Sequence, residues 1–283
     1  MARRRWKATS RFTALRFFPP GEAGNLPLVP ASQEVHVAVL SHEGTFPIMY
    51  GSYPVPVGAG YRRGYLARPD RVGRFPVVIV VPDLNGLSSF EKDICRTLAR
   101  NGIAALSIDM YRNRSGDPIY DYHSLSDRQA ITDLDEVHRF LASDDITWTD
   151  ADAVGMLGLD VGGRFAIAMA AHRPWVRALV VCYTPLTGDE EREVPVADLL
   201  YSLPVPVLGL YGAEDDLIEA ATVDEAQRRN ASGQWLLYEG AGHGFLDVEG
   251  DNYHPDAAAD AAQRVIQFFA ATLPPVEVEE VGF

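Results

Sequence analysis

The chain has 283 residues, 47% of them apolar, with 39 acidic against 25 basic side chains and a formal charge of −14. That length holds one large domain or two small ones. The charge argues against nucleic acid as a ligand of the main body, and no apolar run is long enough to span a membrane. No signal-peptide core follows the basic start. The two cysteines, Cys95 and Cys182, make no disulfide framework, so a reducing, cytoplasmic setting is expected. His172, His243 and His254 lack metal-ligand spacing, and neither a metal nor a cofactor is expected.

Residues 1–33 read as a basic, aromatic arm. Arg3, Arg4, Arg5, Lys7, Arg11 and Arg16 are interleaved with Trp6, Phe12, Leu15, Phe17 and Phe18. The plain reading is a solvated tail; the apolar content points instead to packing on the chain's own domain, on a partner protein or on a second copy, and a mitochondrial-type targeting peptide is a further option. Residues 34–273 read as one domain and 274–283 as an acidic tail. Glu34–Leu40 alternates as a strand, and Thr45–Tyr50 and Gly60–Ala67 follow as further strands of an antiparallel edge. Phe75–Val81 is a continuous apolar run, the signature of a strand buried on both faces. Helical spacing marks Ser88–Asn101, closed by Gly102. Ile103–Ile108 is the next buried strand, Ser115–Ser124 a loop too short for a large lid, and Asp127–Leu141 a helix.

Then comes Val154–Arg164, an apolar strand pattern ending in Gly158-Leu159-Asp160-Val161-Gly162-Gly163 and opening into a helix that ends near His172. Strand, tight turn and helix are the setting of a nucleophile elbow, in which the central residue projects alone at the strand end. Strands at Val176–Cys182, Pro206–Tyr211 and Trp235–Tyr238 follow, with helices at Leu217–Asn230 and Pro255–Leu273. The alternation predicts a mainly parallel sheet with helices on both faces.

Active groups in such sheets collect at the carboxyl ends of the strands. Four loops qualify, carrying Asp83 to Leu87, Asp160, Asp215 with Asp216, and His243 between glycines. The order of strand-end residue, acid and histidine is that of the α/β-hydrolases. Asp215 is the expected orienting acid, three residues past the strand-end glycine, with Asp216 its competitor.

Val77–Val81 with Asn85-Gly86-Leu87, Ser107–Tyr111, Gly158–Gly163, Tyr211–Asp215 and Gly242–Phe245 together resemble the dienelactone hydrolase family of α/β-hydrolases, over about residues 74 to 273. The resemblance implies an α/β-hydrolase fold without a large cap domain, and hydrolysis of a small ester, lactone or related substrate. It implies an oxyanion hole from the backbone N–H groups of Leu84 and Val161, with Asp215 holding the imidazole of His243. A rim arginine binds the substrate carboxylate in the family, and Arg112 or Arg114 lies near that place. Two positions depart from the pattern: Asp160 stands where the family has Cys or Ser, and Asp83 where it often has Glu.

An aspartate is ionised at neutral pH and needs no base to attack. Attack on an ester carbonyl would give a mixed anhydride, which is more reactive than the ester and therefore uphill. Attack on saturated carbon would give an alkyl ester that His243 could hydrolyse, as in the related haloalkane dehalogenases and epoxide hydrolases. Val161 is not the halide-holding Trp of the former, and no cap supplies the tyrosines of the latter; Tyr111, Tyr120, Tyr122 and Tyr183 are open candidates for an acid. The remaining alternative is a degenerate hydrolase in which Asp160 pairs with His243 and the body serves binding or assembly.

Overall fold

The computed structural model describes residues 28–29, 44–111, 115–187, 192 and 194–273. Its strands are β1 (Leu28–Val29), β2 (Ile48–Val57), β3 (Gly60–Pro69), β4 (Phe75–Val81), β5 (Ala104–Ile108), β6 (Thr149–Leu159), β7 (Val176–Cys182), β8 (Val207–Gly212) and β9 (Gln234–Tyr238). The helices are α1 (Ser89–Arg100), α2 (Pro118–Ser124), α3 (Asp127–Leu141), α4 (Gly162–His172), α5 (Val196–Leu199), α6 (Ala220–Arg229) and α7 (Pro255–Thr272). The strands form one nine-stranded sheet in the order β1-β9-β8-β7-β6-β4-β5-β3-β2. All pairings are parallel except β2 with β3 and β3 with β5. This is the α/β-hydrolase fold, without a large cap among the described residues.

Burial explains the sequence pattern. All seven residues of β4 are buried, because helices cover both faces of the sheet. The two faces can be told apart on β6. A Cβ on Gly155 would lie 2.7 Å from the Phe269 ring of α7, whereas one on Gly158 would lie 2.4 Å from Gly163 Cα of α4. Residues three apart on a strand point to opposite faces, so α7 and α4 sandwich β6. Helix α4 has almost no polar face, and nine of its residues are buried, as expected of a helix apolar all round.

Two expectations need correction. Residues 118–124 are helical rather than loop: the Asp117 side chain accepts from the N–H groups of Ile119 and Tyr120, and Pro118 sits in the first turn, both start signals readable in the sequence. Strand β2 starts later and runs on to Val57 through Pro54 and Pro56, which an edge strand tolerates because its outer N–H groups are not needed for pairing. The sheet also takes Leu28–Val29 from the segment read as an arm. The strand expected at Glu34–Leu40 lies outside the described residues, as do most of the arm and the acidic tail.

A methyl group at Gly163 would sit 1.8 Å from Thr184 Oγ1, whereas one at Gly51 meets nothing within 4 Å. Gly163→Ala is expected to lower unfolding stability by about 3 kcal/mol through overpacking, and Gly51→Ala to change it by less than about 0.5 kcal/mol. Urea denaturation of the two variants checks this.

Candidate active site

The turn from β6 into α4 is compressed from three sides. Gly158 lies under Gly163, Gly163 against Thr184, and a Cβ on Gly162 would be 2.1 Å from the Pro82 carbonyl oxygen. Asp160 takes the left-handed conformation this demands, at φ 46. Its N–H donates to the Cys182 carbonyl at 3.0 Å, and its carbonyl accepts from Gly163 N–H at 3.0 Å. The side chain is thereby placed at the end of the central strand beside the amino terminus of α4, where backbone N–H groups favour negative charge.

The loops after β8 and β9 bring two further groups to the same end. Asp215 Oδ1 accepts from the N–H groups of Leu217 and Ile218 at 2.8 and 2.9 Å. This fixes Oδ2 to receive His243 Nδ1–H at 2.9 Å. Asp215, not Asp216, is therefore the partner of the imidazole. On the other side of the ring, Nε2 is 3.4 Å from Asp160 Oδ1, an ion-pair contact longer than an ordinary N–H···O hydrogen bond. The Asp215 side chain is fully buried, while Asp160 and His243 each keep 16% exposure.

Burial alone would push the His243 imidazole down. The contacts with Asp160 and Asp215, and their two charges, more than reverse this and raise it from 6.5 to about 9. His243 is therefore an imidazolium at neutral pH. Asp83 stands at the end of β4, with its carboxylate accepting from Asn85 N–H at 2.6 Å and Asn85 Nδ2 at 3.1 Å. Burial raises its pKa, and the charge of Asp160 adds to that against the Asn85 hydrogen bonds.

Leu84 and Val161 line one cavity of about 200 Å³, walled also by Tyr122, His123, Pro185 and Val196. It adjoins Asp160 through Val161, and α2 forms part of its wall. A second cavity, about 280 Å³, opens on the α3 and α4 side around Ile131, His172 and Arg173, away from the Asp160 carboxylate. Arg112 and Arg114 lie outside the described residues. Cys182 is inside β7, and burial pushes its thiol up to about 12, so it supplies no thiolate.

Several neighbours escaped the sequence reading. Glu91 is fully buried, caps α1 through Ser88, and is raised by burial and by the charge of Asp83. The Ser88-Ser89-Phe90-Glu91 capping box signalled its position. Arg164 makes a two-pronged ion pair with Asp127 at 2.9 and 2.6 Å. Arg192 donates to the carbonyls of Leu125 and Tyr122 at 2.6 and 2.9 Å and lies 4.3 Å over the Tyr122 ring, tying down the end of α2. No local motif marks these arginines, because their partners are distant in sequence.

The raised imidazole has a thermodynamic consequence. A group whose folded pKa exceeds its unfolded value stabilises the fold below the unfolded pKa and loses that contribution as pH rises through the folded one. A rise from 6.5 to about 9 corresponds to on the order of 3 kcal/mol. Unfolding free energy measured in urea is expected to fall between about pH 6.5 and 9, and Asp160→Asn to flatten most of that slope. The His243 ring titration, followed by NMR, is expected to move down from about 9 in the same variant.

Residues 62–273 match the family model described as "Dienelactone hydrolase family". A Yersinia pestis protein named "Putative carboxymethylenebutenolidase" is 32% identical over 252 residues, covering 83% of this chain and 92% of its own. A Bradyrhizobium protein named "Probable 2-oxo-3-(5-oxofuran-2-ylidene)propanoate lactonase" is 32% identical over 214 residues, covering 71% and 85%. Among solved structures, a Klebsiella pneumoniae protein described as "Putative Dienelactone Hydrolase" superposes with a TM-score of 0.72 at 31% identity, covering 79% of this chain and 99% of that one. By sequence and by fold, this chain belongs to the dienelactone hydrolase family.

Proposed function

We propose that the protein hydrolyses a small ester or lactone at the Asp160, His243 and Asp215 cluster, with water as the attacking group. The observation that carries this reading is the Asp215–His243 pair at 2.9 Å, with Asp160 at the other ring nitrogen and its chain neighbour Val161 lining one cavity with Leu84. Apart from a Cys or Ser nucleophile, these are the parts acyl transfer needs. Neutral His243 takes a proton from water as its oxygen bonds to the carbonyl carbon. The N–H groups of Leu84 and Val161 receive the developing oxyanion. The imidazolium then returns the proton to the departing alkoxide. Asp215 orients the ring, and Asp160 is a fixed charge beside it rather than an acyl carrier, since acylating a carboxylate leads uphill to an anhydride. The names of the Yersinia and Bradyrhizobium relatives support lactones as the first substrates to try.

One observation favours a second reading, displacement at saturated carbon by Asp160. The Asp160 carboxylate keeps 16% exposure, with its imidazolium partner 3.4 Å away. Esterification of Asp160 would remove one of the two charges that raise His243 and so release it as a base for the second step.

The two readings part in the pH–rate profile of activated esters, lactones, haloacids and epoxides. With His243 at about 9, roughly one ring in a hundred is neutral at pH 7. Wild-type ester or lactone turnover is expected to rise about tenfold per pH unit below about 9 and then level off. Asp160→Asn is expected to keep activity with its inflection moved to lower pH, and His243→Ala to lose it. Loss of activity in Asp160→Asn at every pH would overturn this mechanism and favour displacement. Inert wild type with a gain in Asp160→Cys would overturn both and identify a degenerate hydrolase.

A further inference from the structure

Among the described residues, two that are not glycine have a left-handed backbone: Asp160 and Tyr183, at φ 46 and 40. They are adjacent in the fold. Asp160 N–H donates to the carbonyl of Cys182, the residue before Tyr183, at 3.0 Å, and Tyr183 N–H donates to the Leu210 carbonyl at 2.8 Å. A bulky side chain disfavours this conformation, so it persists where the surroundings over-determine it. Here it turns the chain out of β7 and delivers the ring to the His243 loop.

The Tyr183 ring is 5.2 Å from the His243 ring at 64°, and 6.0 Å from the Phe245 ring at 71°. Phe245 in turn packs at 5.1 Å on Tyr238 of β9. Tyr183 is 3% exposed and Phe245 fully buried, so the rings are clamped in series. The flanks of His243 lend it no support of their own. Gly242 and Gly244 carry no side chains, and Gly244 is itself left-handed at φ 74. Asn252 Nδ2 donates to the His243 carbonyl at 3.0 Å, and the imidazole plane is set by Asp215 and Asp160 at the two ring nitrogens and by the Tyr183 ring at its side. Burial and the acidic groups nearby push the Tyr183 hydroxyl well above the usual phenol range, so the ring stays neutral beside the imidazolium.

We infer that Tyr183 is a positioning residue whose ring holds the His243 imidazole in the plane that reaches both Asp215 and Asp160. Its kinetic consequence rests on the proposed role of His243 as proton carrier; its spectroscopic consequence does not. The proton on Nδ1, shared with Asp215 at 2.9 Å, is expected to give a low-field NMR resonance. Tyr183→Phe is expected to keep that resonance and to hold kcat within about twofold, because the ring remains. Tyr183→Leu is expected to broaden or lose the resonance and to lower kcat about tenfold with little change in KM. Tyr183→Met replaces the leucine variant if circular dichroism shows the latter unfolded. An undisturbed resonance in the folded leucine or methionine variant would overturn the inference. So would its loss in Tyr183→Phe, which would move the role from ring to hydroxyl. If wild type turns over no substrate, the proposed function fails while the resonance still decides the role of Tyr183.

Discussion

His243 keeps its proton at neutral pH because carboxylates lie on both sides of its ring, Asp215 at 2.9 Å and Asp160 at 3.4 Å. Burial opposes that charge, and the two contacts outweigh it. A histidine with one carboxylate partner and a neutral Cys or Ser opposite lacks the Asp160 support and stays nearer the pH at which a base is useful. The exchange at position 160 therefore changes the histidine as much as the position itself. In the proposed reaction it moves the working range toward alkaline pH without dismantling the orientation that Asp215 provides.

The fold makes this exchange possible because it positions residue 160 through the backbone, not the side chain. Gly158, Gly162 and Gly163 let β6, the loop after β4 and Thr184 approach the turn more closely than any Cβ allows. The left-handed backbone at Asp160 follows from that crowding. An aspartate fits it with less strain than a branched residue would, and the α4 amino terminus favours its charge. Arg164, the first residue after the glycines, is tied by Asp127 to α3, and Arg192 ties the end of α2 into the same network. The cavity wall and the turn thus share one set of ion pairs.

Much of this was legible in the sequence because it is local or periodic. The apolar run at Phe75–Val81, the helix at Asp127–Leu141 and the strand at Val176–Cys182 match the observed elements end for end. The turn at Asp160 could be read from its glycines, and Asp215 from its distance past the strand. What was missed depends on contacts across the chain. The pairing of Arg164 with Asp127 spans 37 residues, and no spacing rule announces it. Tyr183 was one tyrosine among four until the left-handed backbone and the packing on His243 set it apart. The helix at Pro118–Ser124 was a different failure, since its Asp-Pro start was in plain view.

In the proposed reaction water attacks the substrate while Asp160 remains unmodified beside His243. A single turnover in water enriched in oxygen-18, with excess enzyme and an ester or lactone that it hydrolyses, tests this directly. Mass analysis of the peptide carrying Asp160 reads the outcome. With water as the attacking group, label is expected in the product carboxylate and none in Asp160. Label in the Asp160 carboxylate would contradict it, because oxygen-18 enters there only if that side chain has been esterified or acylated and then released by water.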